Sequence, residues 1–316
     1  MSHTTDKKKR VIALGFFDGV HRGHGALLRR AVERAREYGP EGEAVAFTFD
    51  LHPASQILGH QIPLLSTPED RKGLMERCYG IHDVVVGRFD RMMRMPWQAF
   101  VTDYLQKELG VVHVVAGHDF HFGYRGEGNP ARLQALCTEL GLGCDIIQKV
   151  ELDGITVSST YIRTLVAQGE MERAMEFLGH PHTFSGEVVH GKQLGRTIGF
   201  PTANLVVPPE ILVPAHGVYA TKVVTPDGVS RMAVTNVGIR PTVDDGDQVT
   251  VEPWILDFEG DLYGQQIRVE YYARLRGERK FDSLQDLTDM VYQNARETRV
   301  YFSQLAGKAI PAAEKT

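Results

Sequence analysis

The stretch "LGFFDGVHRGHGALLRRA" (residues 14–31) carries two histidines, His21 and His24, in a glycine-rich turn. The apolar run "VIALGFF" before the turn predicts a short buried strand, and "GALLRRAVERAREYG" after it predicts an amphipathic helix that ends at Gly39. The histidines therefore stand where a strand passes into a helix. Backbone N–H groups at a helix start attract phosphate, and imidazoles there can donate hydrogen bonds to phosphate oxygens as charge develops.

Three interpretations of this turn compete. It can be a plain connection in which the histidines only pack or face water. A metal site is less favoured, because no third ligand follows at a suitable spacing and the three cysteines (Cys78, Cys137 and Cys144) lie far along the chain. Phosphate chemistry fits the turn best, and it needs support from other parts of the chain.

The composition predicts a globular protein of two domains. The chain has 316 residues, of which 42% are hydrophobic, and its net charge of −5 argues against nucleic acid as a partner. No apolar run approaches the roughly 20 residues that span a bilayer. The basic start "MSHTTDKKKR" is followed by a run that Asp18 interrupts and that lacks a cleavage site, and the cysteines are unpatterned. We therefore expect a cytoplasmic protein with no membrane partner.

The first half of the chain alternates apolar runs with helix-length segments. The predicted strands are "VIALGFF", "EAVAFTF", "HDVVVGRF", "VVHVVAG" and "GCDIIQKV". The further predicted helices are "TPEDRKGLMERCYG", "PWQAFVTDYLQKELG" and "NPARLQALCTELG". This alternation predicts an α/β fold with a parallel sheet and helices on both faces. Ligands of such sheets bind beyond the carboxyl ends of the strands, where the histidine turn lies.

The second half has a different pattern, beginning at about Phe184. Short strands joined by turns containing Gly, Pro or Asp predict a small antiparallel barrel or sandwich, and "SLQDLTDMVYQNARETRVYFSQLA" predicts a closing helix. The junction falls near "EFLGHPH", so we expect domains at residues 1–182 and 183–316.

Four more stretches of the first half can be placed beside the opening turn: "FTFDLHP", "GHDFHFGYRGEGN", "VSSTYIR" and "STPEDRKG". The hydroxyls of "SST" followed by Arg163 could form a phosphate cradle at a helix start. Taken alone, "SST" is more often a helix cap, and "STPEDRKG" can also be no more than a cap.

Together, "GFFDGVHRGH", "FTFDLHP", "GHDFHFGYRGEGN" and "SSTYIR" resemble the nucleotidyltransferase module of bifunctional bacterial riboflavin kinase/FAD synthetases. The resemblance implies a Rossmann-like domain in which His21 and His24 stabilise the ATP phosphates. It implies further ATP and phosphate contacts at Gly15, Phe17, Asp18, Gly23, Ser158, Ser159, Thr160 and Arg163. The flavin nucleotide would lie near Asp119, Phe120 and Phe122.

The second half carries its own motif, "HGKQLGRTIGFPTANL" (residues 190–205). The glycines Gly191, Gly195 and Gly199 could belong to a plain loop. Thr202 and Asn204 offer neutral oxygen ligands that suit a Mg²⁺ ion already neutralised by phosphates. The stretch resembles the riboflavin kinase signature of the same family, and "GVYAT", "TNVGIRPTV", "VEPWILDF", "DLYG" and "LRGERKFDSLQDL" follow in that family's order.

The resemblance implies roles for the residues of this second motif region. The three glycines would bind ATP, Thr202 and Asn204 would bind Mg²⁺ and phosphates, and Glu252 would be the catalytic carboxylate that accepts the riboflavin hydroxyl proton. Position alone leaves Glu252 open as an exposed strand carboxylate. Two departures stand out: Pro253-Trp254 after the glutamate, and Asn294 where the family usually has Asp. Proline in a strand predicts an edge or a bulge.

The implied activity is phosphorylation of riboflavin to FMN by ATP, followed by adenylylation of FMN to FAD with release of pyrophosphate. Riboflavin, FMN, FAD and ATP would be the ligands, with Mg²⁺ as cofactor, and the enzyme would be a cytoplasmic monomer or weak homo-oligomer. Two alternatives stay open: a chain that retains one of the two activities, and a flavin-binding sensor without turnover.

Overall fold

The computed structural model describes residues 8–191, 199–241 and 247–307. The chain divides into two compact units. The N-terminal unit comprises residues 1–62 and 68–158, and the barrel unit comprises residues 63–67 and 159–316. The boundary of the functional domains at residues 182 and 183 stays a prediction.

The N-terminal unit is built on a five-stranded parallel sheet in the order β3-β2-β1-β4-β5. Its strands are β1 (Lys9–Leu14), β2 (Gly42–Phe49), β3 (Asp83–Gly87), β4 (Val111–Gly117) and β5 (Gly143–Ile147). Successive residues of β1 enter different cores, since Ile12 and Leu14 pack in one cluster and Val11 and Ala13 in the other. The sheet is covered on both faces, as the sequence predicts.

Helices connect these strands. They are α1 (Arg22–Glu37), α2 (Pro53–Leu58), α3 (Pro68–Tyr79), α4 (Phe89–Met92), α5 (Trp97–Ala99) and α6 (Pro130–Leu140). Helix α5 continues as a π-helix over Phe100–Glu108, in which the Leu109 N–H donates to the Tyr104 carbonyl at 3.0 Å. The sequence predicts a helix here, but not its wider turn, because hydrophobic spacing does not separate the two forms.

A short hairpin, β6 (Glu151–Leu152) with β7 (Ile155–Thr156), follows the sheet. The barrel unit then begins with α7 (Ser159–Gln168) and α8 (Met171–Leu178). Its strands are β8 (His182–Val189), β9 (Asn204–Leu205), β10 (Gly217–Val224), β11 (Ser230–Pro241), β12 (Asp247–Ile255) and β13 (Gln266–Arg276). The chain continues into α9 (Leu284–Gly307).

The strands of the barrel unit form a closed antiparallel barrel in the order β10-β11-β12-β9-β8-β13. This confirms the barrel, and it selects the barrel over the sandwich. Helix α9 packs on the outside of β10 and β11, where Ala295 joins Val218, Val234 and Leu256 in a core cluster. No described helix is both long and apolar enough to cross a membrane.

Pro253 lies where β12 has little pairing on one side. β12 pairs with β11 without a register shift, so the bulge that the proline allows is absent. On the other side, β12 pairs with β9 only at Val251 and Leu205, and the Ala203 N–H donates to the Pro253 carbonyl at 2.9 Å. Since the N–H and C=O positions of a strand residue face the same side, the missing donor of Pro253 faces this weakly paired edge.

Candidate functional site

The turn between β1 and α1 has an unusual backbone. Phe17, Gly19 and Val20 have φ values of 58°, 73° and 43°. A positive φ is uncommon outside glycine, and a β-branched residue such as Val20 is an outlier there. The side chains of Phe17, Asp18 and Val20 are buried. Such strain persists only where the surroundings impose it, and it clusters at ligand-binding sites.

The two histidines at the start of α1 form a stacked pair. Their ring centroids are 3.6 Å apart with an interplanar angle of 13°. His21 caps α1, because its Nδ1 accepts the His24 backbone N–H at 3.2 Å. This Nδ1 therefore carries a lone pair, and the proton of a neutral His21 resides on Nε2.

We infer that the proton of His24 also resides on Nε2. Its Nδ1 is enclosed and has no hydrogen-bond partner among the described residues, so a proton there would lack an acceptor. Burial, followed by electrostatic interactions with the neighbouring His21 and Arg71, holds the pKa of His24 well below its usual range. His24 is thus a neutral imidazole at pH 7, with a donor at Nε2. The pair can stabilise negative charge through its Nε2–H donors while both rings are neutral.

The glycines of the turn make room for these rings. A Cβ at Gly23 would lie 3.0 Å from Cε1 of His21, and one at Gly15 would lie 3.1 Å from the Phe17 ring. The carbonyl of Val157 lies 3.6 Å from the same Gly23 position, which brings the start of "VSSTYIR" to the turn. The buried side chains of Phe17 and Asp18 leave only their backbone for a ligand, so the phosphate contacts of Gly15, Phe17, Asp18 and Gly23 stay predictions.

The rest of the predicted phosphate cradle is divided between the units. Ser158 belongs to the N-terminal unit, whereas Ser159, Thr160 and Arg163 lie on α7 in the barrel unit. The Arg163 Nε donates to the Pro63 carbonyl at 2.8 Å. The association of these residues with the histidines around one triphosphate stays a prediction.

The predicted flavin residues differ in exposure. Asp119 is exposed, Phe120 is half-buried, and Phe122 is only 5% exposed. The Phe122 ring stacks on Phe120 at 5.5 Å and packs against Phe100 in the core. Asp119 and Phe120 are therefore accessible enough to contact a flavin directly. The buried Phe122 packs against Phe120 and supports its position.

One residue of this site is absent from the sequence prediction. Arg71, on α3, is 1% exposed, and its NH1 donates to Thr48 Oγ1 at 3.0 Å. Its guanidinium carbon lies 4.2 Å from the centroid of the Phe16 ring, within the range of a cation–π contact. Burial lowers the pKa of Arg71 to about 10, so the group is charged at neutral pH. The only sequence signal was its position in "STPEDRKG", which also fits a helix cap.

Two cavities of the barrel unit meet at Thr202, which lines both. The first has a volume of about 350 Å³ and lies between the outer wall of the barrel and α9. Its aromatic walls are Phe200, Trp254 and Phe281, and its polar residues are Thr202, Asn236, Glu252, Arg276, Glu278, Arg279 and Asn294. The second has a volume of about 460 Å³ and is walled largely by the loop of residues 258–263.

Glu252 lies in the wall of the first cavity. Its neighbours Val251 and Pro253 are buried, so Glu252 is on the opposite, outer face of β12. It is half-buried and stands directly across the ladder from Asn236. The structure thus places Glu252 and Thr202 around one cavity, and the catalytic role of Glu252 stays a prediction.

The second proposed metal ligand, Asn204, lines a different cavity of about 310 Å³. Its amide packs so closely on Gly191 that a Cβ at that position would overlap it. Gly199 is exposed with φ +91°, and Gly195 lies outside the described residues. A hydroxyl, an amide and a nearby carboxylate fit a hard cation that brings phosphate oxygens as its other ligands. The described residues contain no cluster of three or more His, Cys, Asp or Glu side chains that could hold a metal by themselves.

Asn294 is buried between two charged residues. Its Oδ1 accepts from Arg276 Nε at 3.1 Å, and its Nδ2 donates to Glu297 Oε2 at 3.1 Å. An aspartate could not donate to Glu297, and the two carboxylates would repel each other. The amide therefore suits this pair of neighbours.

Comparisons with known proteins follow the same division. The riboflavin kinase family matches residues 178–302, and the FAD synthetase family matches residues 3–161. The chain is 36% identical over 299 residues to the bifunctional riboflavin kinase/FMN adenylyltransferase of Listeria monocytogenes, covering 94% of this chain and 93% of the relative. It is 35% identical over 308 residues to the protein of that name from Bacillus subtilis, covering 95% of each.

A solved structure is also similar over most of the chain. It is a crystal structure named for a macrolide-efflux protein from Streptococcus pneumoniae, and it superposes with a TM-score of 0.80 at 31% identity. The match covers 92% of this chain and 94% of that one.

Proposed function

The chain belongs to the family of bifunctional riboflavin kinase/FMN adenylyltransferases, and we propose that its two reactions are carried by the histidine turn and by the cavities at Thr202. It is a transferase that phosphorylates riboflavin to FMN with ATP and adenylylates FMN to FAD with release of pyrophosphate. Both steps are displacements at phosphorus, for which a protein supplies positioning and charge stabilisation.

The stacked histidine pair supports adenylyl transfer at the turn. An FMN phosphate oxygen attacks the α-phosphorus of ATP, and the bond to the leaving pyrophosphate breaks. Negative charge grows on the phosphate oxygens, and the Nε2 donors of His21 and His24 stabilise it there. The hydroxyls of Ser158, Ser159 and Thr160, with Arg163, would hold the triphosphate. Asp119 and Phe120 would contact the flavin.

The two cavities that Thr202 lines support the kinase reaction. We place the flavin ring in the aromatic cavity with Glu252, and the nucleotide in the cavity of residues 258–263. The ribityl hydroxyl attacks the γ-phosphorus of ATP, ADP leaves, and Glu252 accepts the hydroxyl proton. Thr202 lines both cavities, so we place the γ-phosphate beside it.

Both reactions use a divalent metal, as ATP-dependent kinases and adenylyltransferases generally do. We propose Mg²⁺, held in the barrel unit by Thr202 and Asn204 together with nucleotide phosphates. The bound ion would neutralise phosphate charge. Since Thr202 and Asn204 line different cavities, we expect the segment between them to adjust when the nucleotide binds.

The finer cellular assignments are also proposals. We propose a cytoplasmic monomer or weak homo-oligomer with no nucleic-acid or membrane partner. The net charge of −5 supports the absence of a polyanionic partner.

Product analysis tests these assignments. Riboflavin, ATP and Mg²⁺ are incubated with the full chain, and FMN and FAD are separated by chromatography. The His24→Ala variant should spare FMN and reduce FAD, because only the second product needs the turn. Equal loss of both products would contradict the division of labour. Flavin binding without any product would instead favour the sensor.

A further inference from the structure

Arg71 lies beneath the histidine turn and contacts it in two ways. Its NH1 donates to Thr48 Oγ1 at 3.0 Å, and that hydroxyl donates to the Phe16 carbonyl at 2.8 Å. Its guanidinium carbon also lies over the Phe16 ring, 4.2 Å from the ring centroid. Arg71 thus contacts the ring of Phe16 directly and reaches its backbone carbonyl through the Thr48 hydroxyl.

The arginine is costly to keep in this place. It is among the largest fully buried side chains of the described residues, and desolvation of its charge opposes folding. The carboxylates of Asp18 and Glu69 favour its charged form and offset part of that cost. Apolar residues often replace buried charges with no loss of stability, so stability alone does not account for an arginine here.

The contacts of Arg71 and Thr48 are made with Phe16, next to the strained part of the turn. Phe16 directly precedes the strained residues, with Phe17 at φ 58° and Val20 at φ 43°. His21 directly follows Val20, so the backbone of the turn determines the position of His21. A strained turn keeps one conformation only if its neighbours impose it. Arg71 and Thr48 supply that constraint at its first residue.

We propose that Arg71 and Thr48 form a relay that positions the histidine turn for adenylyl transfer. Arg71 is a positioning residue, because at 1% exposure it lies beneath the turn rather than on the ligand side. The relay runs from Arg71 through the Thr48 hydroxyl to the Phe16 carbonyl. It rests on the proposed role of the histidine turn, and it adds the residues that set the turn's geometry.

Substitutions at both ends of the relay test it. FAD formation from supplied FMN and ATP is measured for Arg71→Met, Thr48→Val and the double variant. A displacement of about 1 Å at a reacting centre costs roughly 100-fold in rate, so we expect each single variant to lose about 10- to 100-fold in kcat. The KM values for ATP and FMN should stay within about 3-fold, because no binding group is removed. The double variant should be no slower than the worse single variant, since the two residues act as a unit.

Three controls accompany the series. FMN formation from riboflavin should be unchanged in every variant, because its proposed residues lie in the barrel unit. Arg71→Lys keeps the charge without the planar fork and should restore part of the rate. Arg29→Met removes another arginine–aromatic contact of the N-terminal unit, between the exposed Arg29 and the Tyr79 ring at 5.7 Å, and should leave FAD formation unchanged. Melting temperatures give the folded fraction used to normalise each rate.

Each contrary result is distinct. Multiplied losses in the double variant would show independent roles and overturn the relay. A raised KM for ATP at unchanged kcat would make Arg71 a binding residue instead. A loss that disappears after normalisation to folded protein would make it purely structural. If Arg71→Met does not fold, Thr48→Val and Arg71→Lys still decide between these results. Normal FAD formation by His24→Ala would count against the proposed site itself.

Discussion

Glu252 is the residue on which the kinase assignment depends most. It shares a cavity with Thr202 and is half-buried, so it is not the fully exposed strand carboxylate that its position in sequence allowed. We expect Glu252→Gln to lower the kinase kcat by about 10²–10⁴-fold, or roughly 3–5 kcal/mol of barrier, because the amide cannot accept the hydroxyl proton. A loose transition state would place the loss at the low end.

Steady-state rates of FMN formation check this. Riboflavin and ATP affinities should change by only a few-fold, and adenylylation of supplied FMN should be unchanged. Near-normal kinase turnover by the Glu252→Gln variant would show that Glu252 is an ordinary strand carboxylate. Of the proposed kinase assignments, only the metal site at Thr202 and Asn204 would then remain.

We expect His182 to make the stability of the barrel unit sensitive to acid. Its Nε2 donates to the Leu212 carbonyl at 3.1 Å, and burial lowers its pKa to about 4. Above about pH 6.5, the ordinary histidine pKa, both folded and unfolded states are neutral. Between there and pH 4 only the unfolded state gains the proton, so the unfolding free energy falls as the pH falls, by about 3 kcal/mol in total.

The comparison with His182→Gln isolates this effect. The glutamine keeps a donor for Leu212 and does not titrate, so its unfolding free energy should lack this component between pH 7.5 and pH 4. Each unit contains one tryptophan, Trp97 or Trp254, so Trp254 fluorescence in a Trp97→Phe background reports the barrel unit. The same acid loss in both proteins would assign the sensitivity to other groups.

At the level of elements, α9 forms one wall of the aromatic cavity that contains Glu252, through Leu287, Val291 and Asn294. The helix begins after Ser283, whose Oγ accepts the Asp286 N–H at 3.1 Å and donates to the Asp286 carboxylate at 2.6 Å. We expect Ser283→Ala to destabilise the barrel unit by about 1 kcal/mol, since it removes a helix cap. Ser283→Thr keeps the hydroxyl and serves as the control. Urea unfolding measures both, and equal stability of all three proteins would contradict a capping role.

For the whole molecule, the extent of the barrel unit bears on whether the kinase can be isolated. All predicted kinase residues lie in residues 183–316, so a folded fragment of that range should make FMN and stop there. The structure, however, includes α7 and α8 in the barrel unit, and α8 packs on β8 and β13 through Met171, Ala174, Phe177 and Leu178. Burial of one such large side chain contributes about 1.5–3 kcal/mol.

We therefore expect a fragment of residues 159–316 to melt at a higher temperature than one of residues 183–316. The shorter fragment loses α8 and also cuts β8 after its first residue, His182. Calorimetry of the two fragments measures the difference, with FMN formation as the test of native structure. Equal melting temperatures would place the independent folding boundary at residue 183.

Most elements of the fold, and their order along the chain, can be predicted from the sequence alone. The strands β1 to β5, the longer helices between them and most of the later antiparallel strands follow from hydrophobic spacing and from glycine and proline positions, which are local properties. The short helices α2 and α4 and the two-residue strand β9 were not predicted. Because parallel strands place their carboxyl ends at one edge, the turn with His21 and His24 could also be assigned to the ligand side. The order of the motifs along the chain is the one typical of bifunctional riboflavin kinase/FAD synthetases.

Which side chains contact each other depends on the three-dimensional fold. A helix-start pattern predicts α3, but it does not show that Arg71 enters the core beneath the histidine turn and reaches Thr48. Alternation along "GHDFHFGYRGEGN" does not separate an accessible Phe120 from a buried Phe122. The placement of Thr202 and Asn204 in different cavities depends on how β9 and β12 close the barrel. These facts rest on contacts between residues far apart in the chain, whose energies no local pattern encodes.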